Sequence, residues 1–194
     1  MNFLAHMLLS CKDSNLLVGN FVADFINNSD KKGLNPHILE GINLHKSIDH
    51  FTDNHQAVKE AIKLIRPSQG KYAPVTIDIL FDYILTQEWN KYSTHHLKEF
   101  TVSTYGTLQS NAHHYPVKLQ EMLPRMIADD FLLSCATEER LITTFQRVKR
   151  RAKFDNNFES GHEAMFDHYD SLNQLFHDFF PDIMLHVQEY CDCN

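Results

Sequence analysis

Imidazoles and carboxylates are the side chains here that could do chemistry. The chain carries 13 His in 194 residues, and imidazole both titrates near neutral pH and is the commonest metal-binding side chain. Along a helix from Ile38 to Phe51, His45 and Asp49 fall inside the apolar arc of Ile38, Ile42, Leu44 and Ile48, opposite Glu40, Asn43, Lys46, Ser47 and His50. They stand one turn apart and side by side. A carboxylate on a buried face is costly unless it shifts its pKa or finds a counter-ion. After Pro74, Asp78 and Asp82 repeat the spacing along a stripe with Ile77, Phe81, Ile84, Leu85 and Trp89. Like charges one turn apart weaken a helix, and a divalent cation would compensate. His6 lies among Phe3, Leu4, Met7, Leu8 and Leu9, and Asp24 among Phe21, Val22, Phe25 and Ile26; both are expected to pack centrally. Asp53 follows a turn beyond Asp49. Such a donor set, without thiolates, suits Mn²⁺, Fe²⁺, Mg²⁺ or catalytic Zn²⁺. The use of such an ion is to lower the pKa of bound water and polarise a phosphoryl oxygen.

Each candidate also has a plainer reading. His6 alone reads as a hydrogen-bonded core histidine. Thr52-Asp53-Asn54 before Gln56 and an apolar run reads as a helix start, with Asp53 as N-cap and Gln56 closing a capping box. The two pairs could be bridged to Arg or Lys of other helices. Two such pairs in one chain favour the metal.

The elements that must position these groups are helices. Apolar residues recur at three and four almost everywhere, and no alternating runs are joined by Asn-Gly or Asp-Gly turns. The expectation is an all-α, single-domain multi-helix bundle over residues 1–194. Its helices fall at roughly 2–10, 15–28, 36–51, 54–65, 74–92, 95–109, 116–130, 137–153, 160–179 and 181–190. Pro36, Pro74, Pro116 and Pro181 each suit a first helical turn, where the missing N–H costs nothing. The breaks at Asp30–Pro36 and Arg66–Lys71 read as short surface connections. The stripe Met165, Phe166, Tyr169, Leu172, Leu175, Phe176, Phe179 and Phe180 reads as core.

A net charge of −7 argues against a nucleic-acid binder, and 43% hydrophobic residues with six Gly and six Pro argue against disorder. Cys11, Cys135, Cys191 and Cys193 contain no C-x-x-C, so reduced thiols are expected. The apolar opening has no basic stretch before it, is interrupted by His6 and soon meets Lys12 and Asp13, unlike a signal peptide, and no stretch suits a bilayer span. A cytoplasmic location without membrane contact is expected; oligomeric state is left open.

Five segments in one order then carry a resemblance: Met1-Asn2-Phe3-Leu4-Ala5-His6, Gly19-Asn20-Phe21-Val22-Ala23-Asp24-Phe25, Gly41-Ile42-Asn43-Leu44-His45-Lys46-Ser47-Ile48-Asp49, Phe51-Thr52-Asp53 and Asp78-Ile79-Leu80-Phe81-Asp82-Tyr83, with Phe176-His177-Asp178-Phe179-Phe180-Pro181 as a closing motif. The chain resembles the acyl carrier protein phosphodiesterase family, which is similar in turn to the all-α, metal-dependent HD phosphohydrolases. The resemblance implies a hydrolase of lipid metabolism that cleaves the phosphodiester between 4′-phosphopantetheine and a serine of holo-acyl carrier protein, using Mn²⁺ or a similar ion. In that reading Asp24, His45, Asp49 and Asp78 hold the metal, Asp82 completes the shell or orients water, Asp53 stands close by, and His6 protonates the departing serine. Tyr83 stands where members carry His, and Lys46 where they carry Arg, which keeps the charge but loses the bidentate fork for phosphate.

An acidic enzyme meeting an acidic carrier needs a local basic surface. Lys46 and the run Arg147-Val148-Lys149-Arg150-Arg151-Ala152-Lys153 are the candidates. An ordinary solvated helix end is the plainer reading of that run. Two other functions are open to the same residues: an HD-type phosphohydrolase of a small phosphate ester or nucleotide, and a non-catalytic helical binding module.

Overall fold

The computed structural model describes residues 2–11, 13–27, 30–31, 34–153 and 156–191. Of the positions used above, Met1, Lys12, Asn28, Lys32, Gly33 and Cys193 lie outside the described residues. The described chain forms α1 (Phe3–Leu8), α2 (Ser14–Val22), α3 (Pro36–Asn54), α4 (Gln56–Gln69), α5 (Ala73–Gln87), α6 (Trp89–Tyr92), α7 (Leu97–Ser110), α8 (Val117–Ala128), α9 (Glu138–Arg151), α10 (Gly161–Asp167) and α11 (Tyr169–Val187). No strand occurs among the described residues. The protein is all-α, and no helix of the described chain is long and apolar enough to cross a membrane.

Local chemistry starts the helices that matter for the site. Asn2 accepts from the Phe3 N–H at the head of α1, and Asp13 accepts from Asn15 and Leu16 at the head of α2. Asn35 accepts from His37, with Pro36 in the first turn of α3. These side chains satisfy N–H groups that the helix itself leaves without partners. At the start of α4 the cap is His55, whose ring accepts from Ala57, while Asp53 lies inside α3 and is exposed. The capping-box expectation is therefore corrected: α3 runs on to Asn54, and Gln56 donates to Glu60 instead.

Prolines depart from the expected pattern too. Pro181 lies inside α11, Pro116 is the N-cap residue of α8, and Pro67 sits within α4. An interior proline costs about 3 kcal/mol. In α11 that cost is offset by burial of Phe176, Phe179, Phe180, Ile183 and Val187 on both sides of it, each apolar side chain contributing about 1.5–3 kcal/mol. The expected aromatic stripe is core, with Phe81 edge-on to Phe176, although Phe166 is 46% exposed.

Two glycines set the geometry around which the site is built. A Cβ on Gly19 would stand 2.1 Å from the Ile38 carbonyl oxygen, and one on Gly41 2.4 Å from that of Leu16. Helices α2 and α3 thus cross backbone to backbone at Gly19 and Gly41, closer than any side chain would permit. The expectation of reduced thiols is also corrected. Cys11, in the turn after α1, is disulfide-bonded to Cys191 beyond α11, 180 residues away, whereas Cys135 is free and buried.

Candidate metal centre

The close crossing delivers its neighbours to one another. Asn20 follows Gly19, and His45 lies one turn after Gly41. The Asn20 carboxamide is 1% exposed, and its oxygen accepts from His45 Nδ1 at 3.0 Å. The same oxygen accepts from His6 Nδ1 on α1 at 2.8 Å. The two imidazoles lie nearly face to face, with centroids 4.4 Å apart and planes 24° from parallel. Both rings are buried, at 3% exposure for His6 and 8% for His45. Their Nε2 atoms converge on Asp49, at 3.3 Å from Oδ1 for His6 and 3.1 Å from Oδ2 for His45. Asp24, in the 3-10 turn Ala23–Phe25 that ends α2, places Oδ1 3.4 Å from His45 Nε2.

The charge balance of the cluster is uneven. For His45, burial works against protonation, but the carboxylates of Asp24 and Asp49 overcome it and push the imidazole up to about 9. Burial would raise the Asp49 carboxyl, and the protonated His45 one turn before it outweighs that, holding Asp49 well below the usual carboxylate range. His6 goes the other way: burial dominates and lowers its pKa, leaving it neutral near pH 7. Its Nε2 is buried without a hydrogen-bond partner, because the approach to Asp49 lacks the alignment of one. A lone pair facing a carboxylate oxygen is unfavourable, and a buried polar atom without a partner costs about 1–3 kcal/mol. A cation resolves that conflict. One ligand atom each from His6, His45 and Asp49 lies within 4.8 Å of the others, the metal-ligand grouping found among the described residues. Two nitrogens and a carboxylate, with Asp24 beside them and no sulfur, suit a hard or borderline divalent ion.

The remaining expected residues are distributed more widely. Asp24 is exposed rather than central, its side chain 48% accessible, because it sits in a 3-10 turn at the end of α2. Asp82 is buried, and burial pushes its carboxyl up to about 7 against hydrogen bonds from the backbone of Leu4 and Ala5. It therefore serves the first turn of α1, the helix that carries His6. Asp78, one turn earlier on α5, lines a cleft of about 350 Å³ together with Phe3, Met126, Phe131, Arg147 and Arg151. A helical wheel puts both acids toward the interior, yet neighbouring elements separate their destinations, and neither joins the His6–His45–Asp49 group. Asp53 is exposed on α3. Lys46 is exposed beside His45. Of the α9 cations, Arg147 and Arg151 face the cleft, Lys149 pairs with Glu159, and Arg150 is exposed; Arg147 also lies 3.7 Å from Asp129. Asn20 and Ser10 were not singled out for chemistry by the sequence. Asn20 lies inside the second motif, and its only local signal is a polar amide within the apolar run Leu16–Val22.

Comparison with known proteins adds a separate observation. Residues 1–183 match the family model described as acyl carrier protein phosphodiesterase. Curated proteins of that name are similar along nearly their whole length. One from Photorhabdus laumondii is 28% identical over 185 residues, covering 95% of this chain and 93% of its own. One from Escherichia coli O45:K1 is 28% identical over 95% of this chain and 96% of its own, and one from Enterobacter sp. strain 638 is 30% identical over 97% and 98%. No solved structure matches.

Proposed function

The chain belongs to the acyl carrier protein phosphodiesterase family, and from that membership we propose that it hydrolyses the phosphodiester of holo-acyl carrier protein. Water adds to phosphorus, the bond from phosphorus to the serine oxygen breaks, and the products are apo-carrier with a free serine hydroxyl and 4′-phosphopantetheine. The observation that carries the reading is the His6–His45–Asp49 cluster, with a buried Nε2 left without a partner. His6, His45 and Asp49 would hold a divalent ion such as Mn²⁺, with Asp24 as the next donor in reach. Such an ion lowers the pKa of bound water and polarises the phosphoryl oxygen.

The chain's own residues supply the positioning. Asp82 holds the first turn of α1 at Leu4 and Ala5, the two residues directly before His6. His6 acts in this reading as a ligand, not as the proton donor expected for it: its Nδ1–H is committed to Asn20, and burial keeps Nε2 unprotonated. Asp24, half exposed at the edge of the cluster, stands where an incoming water can be oriented. The cleft beside α9 is lined by Arg147 and Arg151 together with Asp78 and Asp129, and the two arginines are the groups there that would meet an acidic carrier.

The test is incubation of purified holo-carrier with the enzyme and Mn²⁺, read by intact mass. Loss of the phosphopantetheine moiety supports the reading, and His45→Ala and Asp49→Ala should abolish it. An intact carrier beside a cleaved nucleotide would point to an HD-type phosphohydrolase of small esters. An intact carrier together with no titratable divalent ion would point to a non-catalytic module.

A further inference from the structure

Asn20 is almost wholly buried, and its hydrogen bonds leave one orientation for its amide. The backbone oxygen of His6 can only accept, and it receives the Asn20 Nδ2 at 2.9 Å. Ser10 donates its hydroxyl to that same carbonyl at 2.9 Å, so Ser10 Oγ must accept from Asn20 Nδ2, at 3.0 Å. The amino group of Asn20 is thereby fixed toward the α1–α2 turn, and its oxygen toward the two imidazoles. An amide oxygen donates nothing, so both Nδ1 atoms must carry protons. Each neutral ring then has its lone pair on Nε2, the nitrogen that faces Asp49.

We infer that Asn20 is a positioning residue for the metal centre: one amide oxygen sets the tautomer of His6 and His45 together and aims both Nε2 lone pairs at a common point. The inference rests on the metal reading above and goes beyond it, since neither the donor grouping nor the family match assigns Asn20 any part. The usual arrangement gives each metal-binding imidazole its own acceptor behind the ring. Here a single amide, itself locked by the His6 carbonyl and Ser10, serves two rings on two helices. Registration of α1 against α3 therefore passes through one side chain of α2.

The experiment labels the histidines with ¹⁵N, loads the wild-type protein with diamagnetic Zn²⁺ and reads the ring nitrogens by ¹⁵N–¹H correlation. Both His6 and His45 should show a protonated Nδ1 and an unprotonated Nε2. With zinc bound, a proton on Nε2 of either ring overturns the inference. Failure of the wild-type protein to take up Zn²⁺ or Mn²⁺ at all overturns the metal reading, and the inference with it. In Asn20→Leu, which keeps the bulk without the acceptor, Mn²⁺ affinity by calorimetric titration should fall about 10- to 100-fold, and the two Nδ1–H signals should weaken or exchange rapidly. Ser10→Ala removes only one of the two groups that lock the amide and should cost about tenfold or less. A folded Asn20→Leu protein with wild-type Mn²⁺ affinity and unchanged ring signals overturns the proposal. Should Asn20→Leu fail to fold, the wild-type tautomers still decide it.

Discussion

Replacing Gly41 by alanine tests how much the site depends on the closeness of two helices. The added Cβ would lie 2.4 Å from the Leu16 oxygen, 2.8 Å from the Gly19 Cα and 3.0 Å from the Asn15 oxygen. All three are backbone atoms, so nothing can rotate away. A carbon meets a carbonyl oxygen comfortably at about 3.3–3.6 Å, so α2 and α3 must part by roughly 1 Å. The Asn20–His45 bond then stretches from 3.0 Å to about 4 Å, beyond hydrogen-bonding range. Overpacking costs about 1–3 kcal/mol, and a buried polar pair left open about 1–3 more. The helix propensity of alanine returns about 1 kcal/mol. The net is centred near 3 kcal/mol, which for a chain of this size lowers Tm by roughly 6–12 °C. Mn²⁺ affinity should fall about tenfold or more, because Asn20 and His45 ride on the two separated helices. Gly106→Ala is the internal control: a Cβ added at this exposed glycine of α7 would meet nothing within 4 Å, so the substitution should stabilise by about 0.5–1 kcal/mol. Thermal melts and Mn²⁺ titration of both variants decide the matter. A Gly41→Ala protein that melts with the wild type and binds Mn²⁺ equally well would refute the close crossing as the site's foundation.

Four further outcomes follow from the same geometry. Because His45 is pushed up to about 9 and must lose one proton to offer Nε2, apparent metal affinity should rise about tenfold per pH unit from pH 6 toward 9 and then level off; a flat profile would exclude His45 as a ligand. Asp82, raised to about 7 from an ordinary value near 3.9, holds its proton more tightly when folded, so its contribution to stability is full below about pH 4 and is lost as pH rises through 7. Relative to Asp82→Asn, wild-type denaturation free energy should therefore decline by a few kcal/mol across that window, and parallel pH profiles would contradict this. Charge reversal at Arg151 should raise KM for the carrier severalfold, leave kcat near wild type and flatten the salt dependence, as measured by steady-state kinetics; unchanged kinetics would remove the cleft from carrier docking. Finally, peptide mapping without reductant should recover the Cys11–Cys191 pair, and Cys11→Ser should lower Tm by roughly 10–20 °C, since closing a loop of this length contributes about 5 kcal/mol.

The helical class and the His45–Asp49 pair were legible because both are periodic: a spacing of four fixes a face. Periodicity names a face without naming what lies opposite. Asp78 and Asp82 share a stripe, yet one borders a cleft with Arg147 and Arg151 while the other meets the head of α1. His6 could not be told from a core histidine locally, because its Nε2 acquires meaning only when α3 brings Asp49 to it. Asn20 was illegible for a similar reason: its role depends on Gly19 and Gly41, whose lack of a side chain has no periodic signature. The proline at 181 misled in a different way, since local propensity argues for a boundary and burial on either side of it carries the helix through.

The two faces of the cluster differ in kind. Its nitrogens form the inner wall, whereas Asp49 and Asp24 keep 45% and 48% of their side chains open to solvent and form the outer lip. A phosphodiester is an anion, and two carboxylates set against the single charge of His45 leave that lip net negative and repel it. In the proposed reading this sets an order of arrival at the cluster: positive charge first, substrate second. An apparent substrate affinity measured in chelator would report the repulsion of the lip and nothing of the fit behind it.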